Sequence, residues 1–273
     1  MRFGNREDVI QLTPLWQGER FPDGRPRVSD DVIRRMRRVN TEEAWSVLWR
    51  AGYQYQFEGN WLNLHPDETL VGRAVTCVWV PKRPDLHDAL LAHGHEAEGR
   101  VGFFNSWVIE TLVRDDVIVV DLFGKVWQGT FSGGNLSTAI ATRTQRGQVI
   151  YGGIRDAQQV RQIENLLTFC KGVDPTPIYD VMMVGMNVPC RIGAAICMPG
   201  DVVLGTFSGV TFIPPHLAQE VVERSEDTRL REVFGFQRLQ ERVYTSSQMD
   251  TKWTEAIEAD FAEWKLSNSL PDD

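Results

Sequence analysis

The sequence predicts an α/β protein, a single domain whose central mixed or parallel sheet is covered by helices. Three observations predict it. Residues 117–168 read in the order strand, loop, helix, strand, turn, helix. Two helices with clear start signals precede the first strand. Beyond residue 168 come apolar runs punctuated by Gly and Pro, VMMVG, VPCRIGAAICM and VVLGTFSGVTFIP, which read as buried strands.

Taken in order, residues 1–28 are Pro, Gly and charge and read as an irregular N-terminal arm. The arm could wrap a neighbouring subunit or lie as a surface loop; both stay open. Ser29 with Asp30 and Asp31 is a helix start, and DDVIRRMRRV follows. Thr41, followed by acids and then Ala44, Trp45, Leu48 and Trp49, predicts a second, amphipathic helix ending at Gly52. Residues 53–69 alternate aromatic and polar and are read as shaping a pocket. LVGRAVTCVWVP is a strand, and LHDALLAHGHEAEG a solvated helix and turn. His87, His93 and His95 in that segment match no tight metal spacing. Residues 103–112 are a helix leading into the strand at 117. Among the later runs Lys171, Asp174 and Arg191 are charged and could line the cleft, with a solvated loop the favoured reading for the first two, and no lysine is expected at a strand position suited to a Schiff base. PPHLAQEVVERSEDTRLREVF reads as a helix. At the C-terminus Trp253, Ile257, Phe261 and Trp264 form an apolar stripe on a final helix.

The central stretch carries the candidate chemistry. VIVVD (Val117–Asp121) is a buried strand. Ser132-Gly133-Gly134-Asn135 opens the next helix, where small residues leave N–H groups exposed and the helix dipole favours an anion. Arg155-Asp156 follows the next strand. Arginine grips a carboxylate with two parallel hydrogen bonds, and aspartate is a hard oxygen ligand for a cation such as Mg²⁺. On spacing alone a plainer reading also stands: Asp156 caps the following helix and Arg155 makes an ordinary ion pair.

The totals exclude several classes. With 273 residues the chain can bury an ample core. A net charge of −8 argues against a nucleic-acid footprint. No apolar run reaches the roughly 18 residues of a membrane span. The opening MRFGNREDVIQL lacks the apolar core of a secretion signal, so a cytoplasmic protein is expected. The four cysteines, at 77, 170, 190 and 197, form no C-x-x-C pair; Cys77 and Cys197 are expected as buried small hydrophobes, and no disulfide framework is expected.

Gly134, twenty intervening residues and then Arg155-Asp156 resembles the motif of the RraA-like family, which includes regulators of RNase E activity and 4-hydroxy-4-methyl-2-oxoglutarate aldolases. Three further blocks are similar in the same order: LVGRAVTC (Leu70–Cys77), RDDVIVVD (Arg114–Asp121) and MPGDVVLGTFSGVTFIP (Met198–Pro214). The resemblance covers about residues 30–225. It implies an α-β-β-α sandwich of the swivelling-domain type over residues 29–225, with the arm (1–28) and a C-terminal helical extension (226–273) added. It implies a homotrimer, or a hexamer of paired trimers, with sites at subunit interfaces.

The resemblance also implies a divalent-metal-dependent lyase, like the class II pyruvate aldolases, that cleaves a 4-hydroxy-2-oxo acid to pyruvate, with oxaloacetate decarboxylation as a related activity. On this reading Asp156 holds Mg²⁺ or Mn²⁺, Arg155 pairs with substrate oxygens, and the backbone amides of Gly133, Gly134, Asn135 and Leu136 receive the substrate carboxylate. Family acids are missing in places. Gly133 and Asn135 flank Gly134, Gln159 stands three residues after Asp156, Thr206-Phe207-Ser208 precede the closing Gly-Val, and Trp45-Ser46 occupy the second helix. The alternatives are a protein-binding regulator of the RNase E inhibitor type and a lyase or hydratase acting on a sugar-derived 2-oxo acid.

Overall fold

Val117 to Val120 are apolar on both faces because the strand they form is covered on both sides. A computed structural model describes residues 4–268. Three helices lead the chain: α1 (Arg6–Leu12), α2 (Asp30–Met36) and α3 (Thr41–Arg50). Two short strands, β1 (Phe57–Glu58) and β2 (Leu62–Asn63), precede the long β3 (Leu70–Pro81). Next come α4 (Pro84–Ala92), running into a π-helical turn at His93–Ala97, then α5 (Phe104–Ile109) and β4 (Asp116–Asp121). The central unit continues with α6 (Gly134–Thr144), β5 (Gly147–Ile154), α7 (Ala157–Val160) and β6 (Leu167–Val173). Then follow β7 (Val181–Met186), a hairpin of β8 (Cys190–Ile192) and β9 (Ala195–Cys197), and β10 (Val202–Gly205) with β11 (Val210–Ile213). Three helices close the chain: α8 (Ala218–Gln240), α9 (Ser246–Met249) and α10 (Glu255–Ser267).

The main sheet runs β1-β11-β10-β3-β4-β5-β6-β2, with β7 pairing the far half of β3. Strands β3, β4, β5 and β6 are parallel; β10, β11 and the short strands are antiparallel additions. β1 and β2 belong to one segment, and they pair with opposite edges of the sheet. Phe57 lies against Thr211 and Leu62 against Cys170. The segment 57–63 therefore closes the curled sheet on itself and covers both edges.

The curl produces four layers. Val71, Val202, Leu204 and Ile213 face α2, α3 and α8. Ile118, Val120 and Ile150 face α4, α5 and α6. Between the two halves of the sheet lies an inner core that includes Leu70, Val117, Val149, Phe169 and Phe212, sealed by the β8–β9 hairpin. This is the expected α-β-β-α sandwich. Burying each such Val, Leu or Phe side chain contributes about 1.5–3 kcal/mol.

Local signals act as the sequence predicts, with three differences. Ser29 Oγ accepts the Val32 amide and begins α2. The cap of α3 is Asn40, one residue before the expected Thr41, in a capping box with Glu43. Ala44 and Leu48 are buried, but Trp45 and Trp49 lie on the flank of that face and stack on each other in solvent, ring centroids 4.8 Å apart. Trp253 precedes α10 instead of lying on it, and Ile257, Phe261 and Trp264 pack around Phe234 of α8 within this chain. The three histidines diverge: His87 bonds Asp88, His95 bonds the Gly102 carbonyl, and His93 faces Glu98. All four cysteines are free and buried. Among the described residues no helix is long and apolar enough to cross a membrane.

The arm is not irregular throughout, since Asn5 caps α1, and it docks on its own chain. The Arg25 guanidinium, 1% exposed, reaches Asp116 at the start of β4 through two hydrogen bonds of 2.8 and 3.2 Å. The Arg25 side chain also stacks over Phe21. Arg73 Nε donates to the Val28 carbonyl. Without Asp116 the buried Arg25 guanidinium keeps only the partly exposed Asp23 as its carboxylate partner among the described residues. Asp116→Ala is therefore expected to destabilise the fold by about 3–5 kcal/mol, read by urea unfolding. Asp201 provides a second test. Its Oδ2 accepts the Met198 amide, and burial pushes its carboxyl up to about 7. The folded state then keeps a proton that the unfolded chain releases near pH 4. Stability should fall by up to roughly 1.4 kcal/mol per unit as pH rises from 4 to 7, and stay flat above. Asp201→Asn should remove that slope in urea titrations run across this range.

Candidate active site

The site is built where the chain after β4 folds back along the end of β5. Thr130 bridges Gly153 in parallel, the Phe131 amide donates to the Gly153 carbonyl, and the Arg155 amide donates to the Ser132 carbonyl. This extension places Gly133 directly beside Arg155. A buried polar network holds it there. Ser132 Oγ donates to Gln148 Oε1 at 2.9 Å, and Gln148 Nε2 donates to Ser137 Oγ and Thr168 Oγ1. From the helix side, Asn105 Nδ2 donates to the Phe131 carbonyl. The sequence reading passed over Gln148 and Asn105. The available signal was a glutamine inside an apolar strand, which has to find partners when buried.

Asp156 stands at the N-cap position of α7 in the left-handed region, φ 58° and ψ 33°, which aspartate tolerates better than most residues. Its side chain does not cap that helix. The carboxylate turns the other way, and its Oδ2 accepts the Gly134 amide at 3.1 Å, at the start of α6. The plainer reading of Asp156 as a cap is thereby set aside. The positive end of the α6 dipole favours a carboxylate there. Arg155 Nε lies 3.8 Å from the same oxygen, a loose contact that leaves the guanidinium fork turned to solvent, and the two side chains are 45% and 41% exposed.

Glycine is required at 133 by close approach. A Cβ there would lie 2.5 Å from Asp156 Oδ2 and 2.8 Å from Arg155 Nε. At Gly134 a Cβ would meet Gln159 Oε1 at 3.1 Å. Gln159, flagged where an acid was missing, thus sits against the start of α6. One expectation is corrected. The four amides of residues 133–136 cannot all receive a ligand carboxylate, because that of Gly134 already serves Asp156. The first-turn amides of Asn135 and Leu136 have no intrahelical acceptor by position. The Leu136 side chain packs against the helix-covered core.

Thr206, Phe207 and Ser208 are not brought to Arg155 within this chain. They form the β10–β11 turn, where Gly205 pairs with Leu70 at the start of β3, the opposite end of the parallel strands. Lys171 is a second correction. It lies on β6, not a loop, so a lysine does occupy a strand position. Its ammonium donates to Glu58 and to the Gly59 and Asn60 carbonyls, and it stands over the Trp61 and Tyr151 rings. Those contacts brace the closing segment. Arg191 lies on β8, and its amide, with that of Phe123, donates to Asp121. Burial pushes the Asp121 carboxyl above its ordinary range.

Among the described residues no three or more His, Cys, Asp or Glu converge as a ligand set. Asp156 supplies one carboxylate, whose Oδ1 has no hydrogen-bond partner among the described residues. Mg²⁺ keeps several waters and needs only one or two protein carboxylates, so the donor set fits a weakly held, water-rich ion.

Comparison with known proteins follows this geometry. A family model described as RraA-like, Aldolase/RraA, matches residues 27–212. Protein DlpA of Legionella pneumophila is 26% identical over 211 residues, which are 74% of this chain and 30% of that protein. A putative 4-hydroxy-4-methyl-2-oxoglutarate aldolase of Halalkalibacterium halodurans is 29% identical over 41% of this chain and 52% of its own. This chain therefore spans about a third of the first relative and about half of the second. The crystal structure of Streptomyces coelicolor RraAS2, described as an unusual member of the RNase ES inhibitor RraA family, superposes with a TM-score of 0.65 at 26% identity, covering 78% of this chain and all of that one.

A substitution tests the packing. Gly133→Ala places a Cβ against Asp156 Oδ2 and against Arg155 Cγ and Nε, which must shift. It should cost about 1–3 kcal/mol of stability while displacing both groups, shown by a crystal structure of the variant beside its urea unfolding curve.

Proposed function

The chain belongs to the RraA-like family, and from that premise we propose that it is a divalent-metal-dependent carbon–carbon lyase acting on a 2-oxo acid, with pyruvate as a product. One observation carries the reading. The Asp156 carboxylate is fixed by the Gly134 amide with one oxygen unengaged, and the Arg155 guanidinium stands beside it, facing solvent. A metal ligand and a planar anion-binding fork are thus presented together at the mouth of one strand.

In this proposal Asp156 would hold Mg²⁺ or Mn²⁺. When bound, the ion supplies a Lewis acid that polarises the keto carbonyl of the substrate. The chain's own groups do the rest. The amides of Asn135 and Leu136 bind the substrate carboxylate at the start of α6. Arg155 pairs with the keto oxygen and stabilises the negative charge that grows there as the C–C bond one carbon removed from the carbonyl breaks. The Asp156–Gly134 bond keeps that geometry from drifting. Asn135 and Gln159 are neutral, so no carboxylate beside Asp156 is offered as a base for a substrate hydroxyl. This favours oxaloacetate, whose decarboxylation needs no hydroxyl deprotonated, alongside 4-hydroxy-2-oxo acids. We propose a homotrimer, or a hexamer of paired trimers, as the assembly. The stacked, exposed Trp45–Trp49 pair favours one second reading, a protein-binding regulator, because such a pair offers an anchor to a partner.

The test is pyruvate release from oxaloacetate and from 4-hydroxy-4-methyl-2-oxoglutarate, followed with lactate dehydrogenase, with Mg²⁺ and with EDTA. Turnover is expected with Mg²⁺ alone. Asp156→Ala should abolish it. Arg155→Lys should lower it by roughly a hundredfold, since a point charge does not reproduce the fork. Metal-dependent turnover unchanged in Asp156→Ala would sink the assignment. No pyruvate from either compound would favour the regulator or a sugar-derived substrate.

A further inference from the structure

At the other end of the sheet lies a cavity that the proposed chemistry does not use. Asp201 is hydrogen-bonded to Ala74, which pairs with Val117, which pairs with Gly147 at the start of β5. Arg155 follows the far end of that strand. The cavity, about 310 Å³, lies between the N-terminal arm, the β8–β9 hairpin and the segment after β11. Leu12 and Trp16 of the arm form one wall, and Ile196 and Met198 another.

Three polar side chains at this cavity matter. The Tyr53 hydroxyl and His216 Nε2 lie 3.3 Å apart and satisfy each other. Burial holds the His216 imidazole below its ordinary range, which keeps it neutral near pH 7. The third is Asp201, 1% exposed, lining the cavity with a carboxyl that has one recorded partner, the Met198 amide on Oδ2. Its Oδ1 has no hydrogen-bond partner among the described residues. The groups facing it are all uncharged near neutrality: Tyr53 and His216 across the cavity, and the buried Cys197 thiol at the end of β9, itself pushed upward. Both arginines of the arm on this side are engaged: Arg20 by the Thr13 side chain and carbonyl, and Arg25, which also donates to the Ala74 carbonyl, by Asp23 and Asp116.

We propose that this cavity binds a small uncharged molecule with an apolar body and one oxygen that accepts a hydrogen bond from the Asp201 carboxyl. The apolar walls match the body of such a molecule. A buried carboxyl that keeps its proton up to about pH 7 is a donor in search of an acceptor, and leaving such a group unpaired is costly. An anion would face the carboxyl with no cation beside it. An ammonium ligand would have to ionise a group that burial keeps neutral. The site is independent of the lyase reading, and its test does not involve turnover.

The test uses the full chain and two probes of similar shape: acetophenone, which carries a carbonyl oxygen, and ethylbenzene, which does not. Binding is followed by the Met198 methyl resonance. At pH 6 a saturable shift is expected with acetophenone, roughly three- to tenfold tighter than with ethylbenzene, the size of one net hydrogen bond. At pH 8 that preference should fall towards one, because ionised Asp201 cannot donate. Asp201→Asn, whose amide donates at both pH values, should keep the preference at pH 8. Ile196→Trp, at a site 43% exposed and so tolerant of size, should fill the cavity and abolish binding in a folded protein. No saturable shift, equal affinity for the two probes at pH 6, or binding unaffected by Ile196→Trp overturns the proposal.

Discussion

Closure of the sheet by residues 57–63 is the constraint on which the rest depends. An open sheet of this size would leave two unpaired edges and an inner face with nothing to cover it. Here one short segment pairs with β11 on one side and β6 on the other, so the sheet must curl. The curl brings Phe169 of β6 against Gly205 of β10, where a Cβ would lie 2.8 Å from the ring. It also separates the two helix layers, so that each covers only one half of the sheet. Lys171 fixes the segment by binding Glu58 and two of its carbonyls, which ties the closing turn to the strand it closes on.

The two ends of the resulting body differ in kind. At the C-terminal ends of the parallel strands the backbone is irregular and glycine-rich, and polar groups stand in solvent: Arg155, Asp156 and the start of α6. Their positions are set from beneath by the Ser132–Gln148–Ser137 network, which is fully buried and therefore rigid. At the opposite end the arm is drawn down by the Arg25–Asp116 pair, and the space left beneath it is mostly apolar, with Asp201, bonded through Oδ2 to the Met198 amide, at its wall. Charge exposed at one end and charge suppressed at the other suit different ligands.

The departures from the family pattern acquire physical meaning in this frame. Gln159 stands against the start of α6, where an acid would repel Asp156 unless a cation lay between them. A neutral amide there allows Asp156 to rest on the Gly134 amide without one. Thr206 belongs to the far end of the sheet, and it binds Thr41 at the start of α3. Within the chain its lack of charge bears on helix packing.

By itself the sequence determined the elements whose signals are local. The apolar run at 117–120, the Ser29 cap, the helix opening at Gly134 and the position of Arg155-Asp156 after a strand were all legible, because each rests on residues a few positions apart. The order of those blocks also sufficed for the sandwich. Only the tertiary structure decided how distant residues use one another. It turned Asp156 from its own helix to the amide of Gly134, 22 residues earlier. It placed Lys171, which reads as a loop lysine, inside an aromatic and carboxylate cage made by residues 58–61. It docked the arm on Asp116, and it made residues 57–63 the clasp of the sheet. None of these has a local signature, because each is a hydrogen bond or ion pair between segments that meet only when the sheet has curled.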